Sequence, residues 1–331
     1  MFADDDKIIT RILSGEEAVE EGAGIIKSGG IVAFPTETVY GLGANAYSKS
    51  AVNKIFIAKG RPQDNPLIVH ISDIKDIYNI ATDINDNTII LMEKFMPGPL
   101  TLVLKKNGLI PEIVSAGLDT VGVRMPSHPV ARQLISRAGV PIAAPSANVS
   151  SHISPTSAKH VYDDLNGRIP LIIDGGECEV GIESTVLDMT GEITVLRPGV
   201  VTKDMIEDAL KQKIGVKYND SRPASPGMKY RHYAPEIPVE IINNESEIAA
   251  KYDNLVKNGI NPVILTFNNN YGERLTINLG NNLSEVAKNI YAALRRSEKA
   301  YDYIICENFD DNAVGHSIMN RIIKAAEVKK P

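Results

Sequence analysis

Ser184-Thr185-Val186-Leu187-Asp188-Met189-Thr190-Gly191-Glu192-Ile193-Thr194-Val195-Leu196 is the stretch that decides the fold. Residues 184–188 and 193–196 are short apolar runs that read as strands, and Met189-Thr190-Gly191 between them reads as a hairpin turn. A hairpin makes its two strands antiparallel, so a simple doubly wound parallel sheet does not fit.

Working back from there, Ile31-Val32-Ala33-Phe34 is bounded by glycine and proline and reads as a buried strand. Residues 67–71, 100–104, 121–125, 140–144 and 171–174 repeat that pattern. Helical signals lie between some of them. Ser14 followed by Glu17 is a capping-box signature, Ala18, Val19, Gly22, Ile25 and Ile26 follow at helical spacing, and Gly29-Gly30 ends the run. Residues 51–58 carry Val52, Ile55 and Phe56 on one face, Gly139 closes another helix, and 202–211 form the last. The order is not a regular βα alternation. Residues 1–214 are therefore expected to form an α/β domain around a twisted mixed sheet.

The chain changes character after residue 214. Residues 1–214 hold 20 Lys+Arg against 27 Asp+Glu, whereas 215–331 hold 15 against 14. Between Lys217 and His232 the charge is locally positive, with Lys217, Arg222, Lys229 and Arg231 against Asp220, among Pro223, Ser225, Pro226 and Gly227. That is linker composition, and 215–237 is assigned as a basic linker. Strands at 239–242, 263–266, 276–279 and 303–306, alternating with helices at 245–257, 283–300 and 313–327, then predict a smaller Rossmann-like parallel α/β domain over 238–331.

Composition sets the outer bounds. With 331 residues, 43% hydrophobic and 23% charged, the chain reads as an ordinary globular protein of two domains. The acidic start Met1-Phe2-Ala3-Asp4-Asp5-Asp6 does not resemble a secretion leader, and no apolar stretch approaches the roughly 18 residues that a bilayer requires. Cys178 and Cys306 are read as reduced thiols, so a cytoplasmic location without membrane attachment is expected. The net charge of -6 argues against non-specific coating of nucleic acid.

Candidate chemistry is concentrated in a few loops. Lys59-Gly60-Arg61-Pro62 sets two cations around a residue with no Cβ, so side chains and backbone can approach one anion; the plain alternative is a basic helix end. Pro145-Ser146-Ala147-Asn148 follows a strand and offers a hydroxyl and an amide; the alternative is a turn that satisfies itself. Phe34-Pro35-Thr36-Glu37-Thr38-Val39-Tyr40-Gly41-Leu42-Gly43 and Gly181-Ile182-Glu183-Ser184-Thr185 each hold hydroxyls and a carboxylate, with Glu37 and Glu183 readable as turn caps. His70 reads as a satisfied core histidine. Arg124, inside an apolar strand, needs an anionic partner that the neighbouring sequence does not supply. No metal spacing, no G-x-x-x-x-G-K-[ST] and no G-x-S-x-G elbow is present, and Glu177 and Glu179 would raise the pKa of a Cys178 nucleophile.

These motifs, with Pro97-Gly98-Pro99-Leu100-Thr101 and Leu196-Arg197-Pro198-Gly199, occur in an order that resembles the YrdC-like family of L-threonylcarbamoyladenylate synthases. Ser225-Pro226-Gly227-Met228-Lys229-Tyr230-Arg231-His232-Tyr233-Ala234-Pro235 is similar to the linker of its two-domain, Sua-type branch. Phe95-Met96 departs from the Trp that family members often carry before Pro-Gly-Pro-Leu. The resemblance implies condensation of L-threonine, bicarbonate and ATP, with Mg²⁺ held mainly by the phosphates rather than by protein side chains. The product is threonylcarbamoyl-AMP, handed to a downstream threonylcarbamoyl-transferase complex that modifies adenosine 37 of tRNA. It implies Lys59 and Arg61 as the catalytic triphosphate clamp, with Asn65, Thr120, Ser146, Asn148, Ser154, Arg197 and Tyr233 also on the ATP side. Thr36, His70, Arg124, Ala144 and Ser184 fall on the threonine side. The linker, through Tyr230 and Tyr233, is expected to act as a lid, and a weak tRNA contact is compatible with the family. The competing class is a non-catalytic module for double-stranded RNA or tRNA. A hydrogenase-maturation carbamoyl transferase needs zinc-finger modules that two cysteines cannot build.

Overall fold

The computed structural model describes residues 8–217, 233–309 and 313–326. The larger sheet has twelve strands: β1 (Arg11–Ser14), β2 (Val32–Phe34), β3 (Gly41–Asn45), β4 (Ile68–His70), β5 (Ala81–Thr82), β6 (Leu100–Lys106), β7 (Thr120–Arg124), β8 (Ile142–Ala144), β9 (Leu171–Asp174), β10 (Thr185–Asp188), β11 (Thr194–Arg197) and β12 (Gly215–Val216). Their order is β1-β9-β2-β3-β8-β4-β7-β6-β10-β11-β12, with β5 on β6. β10 and β11 form the antiparallel hairpin predicted from the sequence, while β10 runs parallel to β6 and β4 to β7. The sheet is mixed and twisted, as its hairpin requires.

Both faces are covered by apolar side chains that alternate along the strands. Ala33, Leu42, Val69, Leu102, Val123, Ala143 and Ile172 pack on one side against Val52, Ile55, Phe56, Leu91 and Val161 from helices. Val32, Phe34, Ile142, Ala144, Leu171 and Ile173 face the other side and meet the helices Gly15–Lys27 and Pro129–Ala138. The structure departs from the sequence expectation at several points in this unit. Ser14 precedes the first helix but makes no capping bond, because it is paired to Asp174 in β1 and the chain turns at Gly15, whose φ is 78°. β3 forms where the sequence suggests only a motif-bearing loop, and β1 forms where it predicts no strand. Gly215–Val216 pairs with β11 as an edge strand, so the first sheet reaches into the stretch assigned as linker. The rest of that stretch, 218–232, lies outside the described residues.

The second sheet contains β13 (Val239–Ile242), β14 (Pro262–Thr266), β15 (Thr276–Asn278) and β16 (Tyr303–Glu307), ordered β13-β16-β14-β15 and all parallel. The helices Glu245–Lys257, Leu283–Ala300 and Ala313–Ala326 connect and follow them, within a residue of the sequence expectation. One apolar cluster joins the units: Val39, Ile153 and Ile182 of the first pack with Tyr291, Leu294, Ile318 and Ile322 of the second.

Candidate active site

A cavity opens on the sheet face that carries Ile68, His70, Arg124 and Ala144. Parallel β4 and β7 put His70 directly beside Arg124, and antiparallel β8 puts Ala144 beside Ile68, so four strand residues form one floor. Loops supply the walls. The segment after β2 brings Thr36, Thr38 and Val39, the segment after β8 brings Pro145, Ser146, Asn148, His152 and Ser154, and Arg61 follows a helix end. Glu183, Arg197 and Tyr233 complete the lining. The two loops from β2 and β8 are held together by Ala147 N donating to Tyr40 O at 2.8 Å and Leu42 N to Pro145 O at 2.9 Å.

Arg61 is aimed by the helix end predicted for it. Gly60 adopts φ 61° and its N–H caps Ile57 O, so the chain reverses there without a Cβ penalty. The Arg61 Nη2 donates to Asn65 O at 3.1 Å, and the Asn65 side chain is buried with its Oδ1 making no hydrogen bond. Lys59 lies behind the wall rather than in the lining. Its Nζ donates to Ser146 O and Asn148 O, both at 2.5 Å, so it fastens the two halves of the proposed clamp. Burial, reinforced by the positive charge of Arg61, holds its pKa well below the usual lysine value. Ser146 in turn donates to Asn148 Oδ1 at 2.5 Å.

The floor carries its own charge pair. Arg124 Nη2 stands 2.8 Å from Glu37 Oε1, with side chains 5% and 3% exposed. The geometry is an ion contact without aligned hydrogen bonds, since both Glu37 oxygens and Arg124 Nε and Nη2 satisfy none. Glu37 is thus the anionic partner that the sequence around Arg124 did not reveal, and it caps no turn. His70 is buried edge-on to Phe34, and burial together with the Arg124 charge lowers its pKa to about 3, so it is neutral at physiological pH. Thr36 Oγ1 donates to Val39 O at 2.6 Å and receives the Thr38 and Val39 N–H groups, fixing its loop.

The remaining predicted residues divide. Ser154 Oγ donates to Glu183 Oε1 at 2.6 Å, and Tyr233 stacks on Tyr291 with centroids 5.5 Å apart. Ser184 does not line the cavity: it accepts from Arg197, through its carbonyl at 3.0 Å and its hydroxyl at 3.2 Å, and so aims that guanidinium. Thr120 sits at the opposite end of β7 from Arg124, beside a separate hollow with Asp119 and Lys105, so it does not join the ten ATP-side and threonine-side residues that line the cavity. Cys178 is buried and its pKa is pushed up to about 12, first by burial and then by Glu37, so it is no nucleophile. Among the described residues no cluster of His, Cys, Asp or Glu could hold a metal, and no helix is long and apolar enough to cross a membrane.

The cavity, lined by arginines, hydroxyls and an amide, lies in a two-unit α/β protein and is chemically suited to hold anionic substrates. The family model described as "Telomere recombination" matches residues 24–199, and the one described as "Threonylcarbamoyl-AMP synthase, C-terminal domain" matches 201–327. A threonylcarbamoyl-AMP synthase of Pyrococcus abyssi is 42% identical, covering 96% of this chain and 98% of its own length. Its counterpart in Bacillus subtilis is 44% identical, covering 96% of each. The solved structure of P. abyssi Sua5 complexed with L-threonine matches at a TM-score of 0.90 and 41% identity, covering 96% of this chain and 97% of that one. The chain belongs to the threonylcarbamoyl-AMP synthase family.

Proposed function

We propose that the chain condenses L-threonine, bicarbonate and ATP to threonylcarbamoyl-AMP, releasing pyrophosphate and water. The carrying observation is that residues from both expected substrate groups, Arg61, Ser146, Asn148, Ser154, Arg197 and Tyr233 with Thr36, His70, Arg124 and Ala144, line a single cavity. In this reading the amine of threonine takes up the carboxyl group from bicarbonate, and an oxygen of the resulting carbamate attacks the α-phosphorus while pyrophosphate leaves. Such a sequence needs several anions held in line more than it needs proton transfer. Arg61 and Arg197 meet the phosphates, Lys59 holds the Ser146–Asn148 loop against them, and Arg124 meets the threonine carboxylate. His70, neutral at physiological pH, is a hydrogen-bonding wall rather than an acid. Mg²⁺ enters as the counter-ion of ATP, because Glu183, the one carboxylate in the lining among the described residues, is already engaged by Ser154, Tyr291 and Arg321.

The product serves a downstream threonylcarbamoyl-transferase complex acting on tRNA in the cytoplasm. The RNA-binding alternative needs exposed cations, whereas Arg124 and Arg197 are only 4% and 5% exposed. The test is pyrophosphate release from ATP with and without threonine and bicarbonate, for wild type and Lys59→Ala. Release that depends on both co-substrates and is lost in the variant is expected. Release indifferent to threonine refutes the assignment.

A further inference from the structure

Arg321, on the helix Ala313–Ala326 of the second unit, is the bulkiest fully buried side chain among the described residues. All its nitrogens are spent on the wall of the cavity or on its own helix. Nε stands 3.2 Å from Glu183 Oε2, Nη2 donates to Glu183 O at 3.2 Å, and Nη1 donates to Pro198 O and to Ser317 O. Tyr291, on the helix Leu283–Ala300, donates to the same Glu183 Oε2 at 2.8 Å, and Ser317 Oγ donates to Gly199 O at 3.0 Å. The second unit therefore grips two separate segments, one around Glu183 and one immediately after Arg197. These are the segments that carry Ser184 and Arg197, the pair already joined by the guanidinium of Arg197. The close approach is built in: Gly181 has φ 80°, and a Cβ there would run into the backbone of Ala287 and Lys288.

We propose that Arg321, with Tyr291, is a positioning residue of the nucleotide end of the site: it supplies the charge that balances Glu183, so that Glu183 fixes Ser154 while the positive field of Arg197 remains directed at an anionic substrate. A buried carboxylate must be balanced by a cation within reach. The charge of Arg197 also acts on Glu183, so without Arg321 it would be drawn to that carboxylate and be less available to a triphosphate. The proposal rests on reading the cavity as the ATP site. Its consequence is that the second unit acts in the first unit's chemistry through two side chains that touch no substrate.

The full-length protein tests it in two measurements, calorimetric ATP binding and the KM values for ATP and threonine. Arg321→Met should weaken ATP binding and raise its KM by about tenfold or more, the usual cost of losing a hydrogen-bonded charge, with the threonine KM moving less than about threefold. Arg321→Lys should recover part of the loss. Adding Glu183→Gln to Arg321→Met should also recover ATP affinity, since the unbalanced carboxylate is gone. A merely structural role makes that double variant no better than the single one and raises both KM values alike, and either result overturns the proposal. If Arg321→Met fails to fold, Tyr291→Phe keeps the ring that stacks on Tyr233 and should still raise the ATP KM about threefold; no rise there overturns it too. A wild type that binds ATP but shows no threonine-dependent turnover indicts the assigned reaction, while the binding series still reads the role of Arg321.

Discussion

Removing the carboxylate of Glu37 should destabilise the protein through charge rather than through packing. Glu37 and Arg124 approach to 2.8 Å with side chains only 3% and 5% exposed, so both ions have lost most of their water. Deleting one partner of a pair this buried leaves the other uncompensated, which costs about 3–5 kcal/mol. The contact lacks aligned hydrogen bonds, which argues for the lower end, about 3 kcal/mol. An unfolding entropy of about 2.1 cal/mol/K per residue gives this chain of 331 residues roughly 0.7 kcal/mol/K, so Tm should fall by about 4 °C. Glu37→Gln keeps the volume and removes the charge, and should cost nearly as much as Glu37→Ala. Glu37→Gln combined with Arg124→Met should recover at least about 2 kcal/mol of the summed losses, since no unpaired ion remains. Urea unfolding followed by far-ultraviolet circular dichroism suits a chain without tryptophan. Glu37→Gln within about 1 kcal/mol of wild type, with Glu37→Ala much weaker, would show that shape rather than charge holds this floor together, and the reasoning would fail.

Three further outcomes are expected. Lys59→Met should lose at least about a hundredfold in threonine-dependent pyrophosphate release while stability changes by under about 2 kcal/mol, because relief of ion burial offsets the carbonyls left without a donor; a variant retaining a tenth of the activity contradicts the role assigned to Lys59. His152 joins the two units through Asp164 at 3.2 Å and Glu298 at 3.0 Å, and although burial and Arg295 oppose its charge, these carboxylates raise its pKa to about 9. Its contribution, at most about 3 kcal/mol, is therefore complete below pH 6.5 and lost as pH rises through 9, so urea midpoints should fall across that window and His152→Gln should flatten the decline. Gly181→Ala forces a side chain into the helix backbone at Ala287 and Lys288 from a left-handed conformation, and should open the joint between the units, read as faster limited proteolysis and a larger radius of gyration in solution scattering.

The sequence announced those elements whose signal is local. Apolar runs between glycines and prolines marked most strands, and helical spacing placed the helices of the second unit almost to the residue. β3 escaped because Gly41-Leu42-Gly43-Ala44-Asn45 has neither β-branched residues nor alternation; it is a strand only because β2 and β8 pair with it from either side. Thr120 shares a strand with Arg124, yet the extended chain carries it to the other end of that five-residue strand. The partners of the buried charges were invisible for the same reason: Arg124 finds Glu37 and Glu183 finds Arg321 across long stretches of chain, and nothing in spacing records such a meeting.

That gap explains why residues of the sequence motifs carry structural work that their spacing did not reveal. A carboxylate, an ammonium or a hydroxyl in a dry wall must first be satisfied by the protein itself. Lys59 meets that demand on the carbonyls of Ser146 and Asn148, Ser184 on Arg197, Glu37 on Arg124, and Glu183 on Arg321 and Tyr291. The first three act inside one domain, so a lone first domain could retain them. Glu183 differs, because the cation and the phenol hydrogen-bonded to its carboxylate both come from the second unit. Burial of a charge in one domain and of its counter-charge in the other makes the two folds a single electrostatic unit around the cavity. Loss of the Arg321 charge should therefore register in how tightly ATP binds, although Arg321 stands on a helix of the other unit.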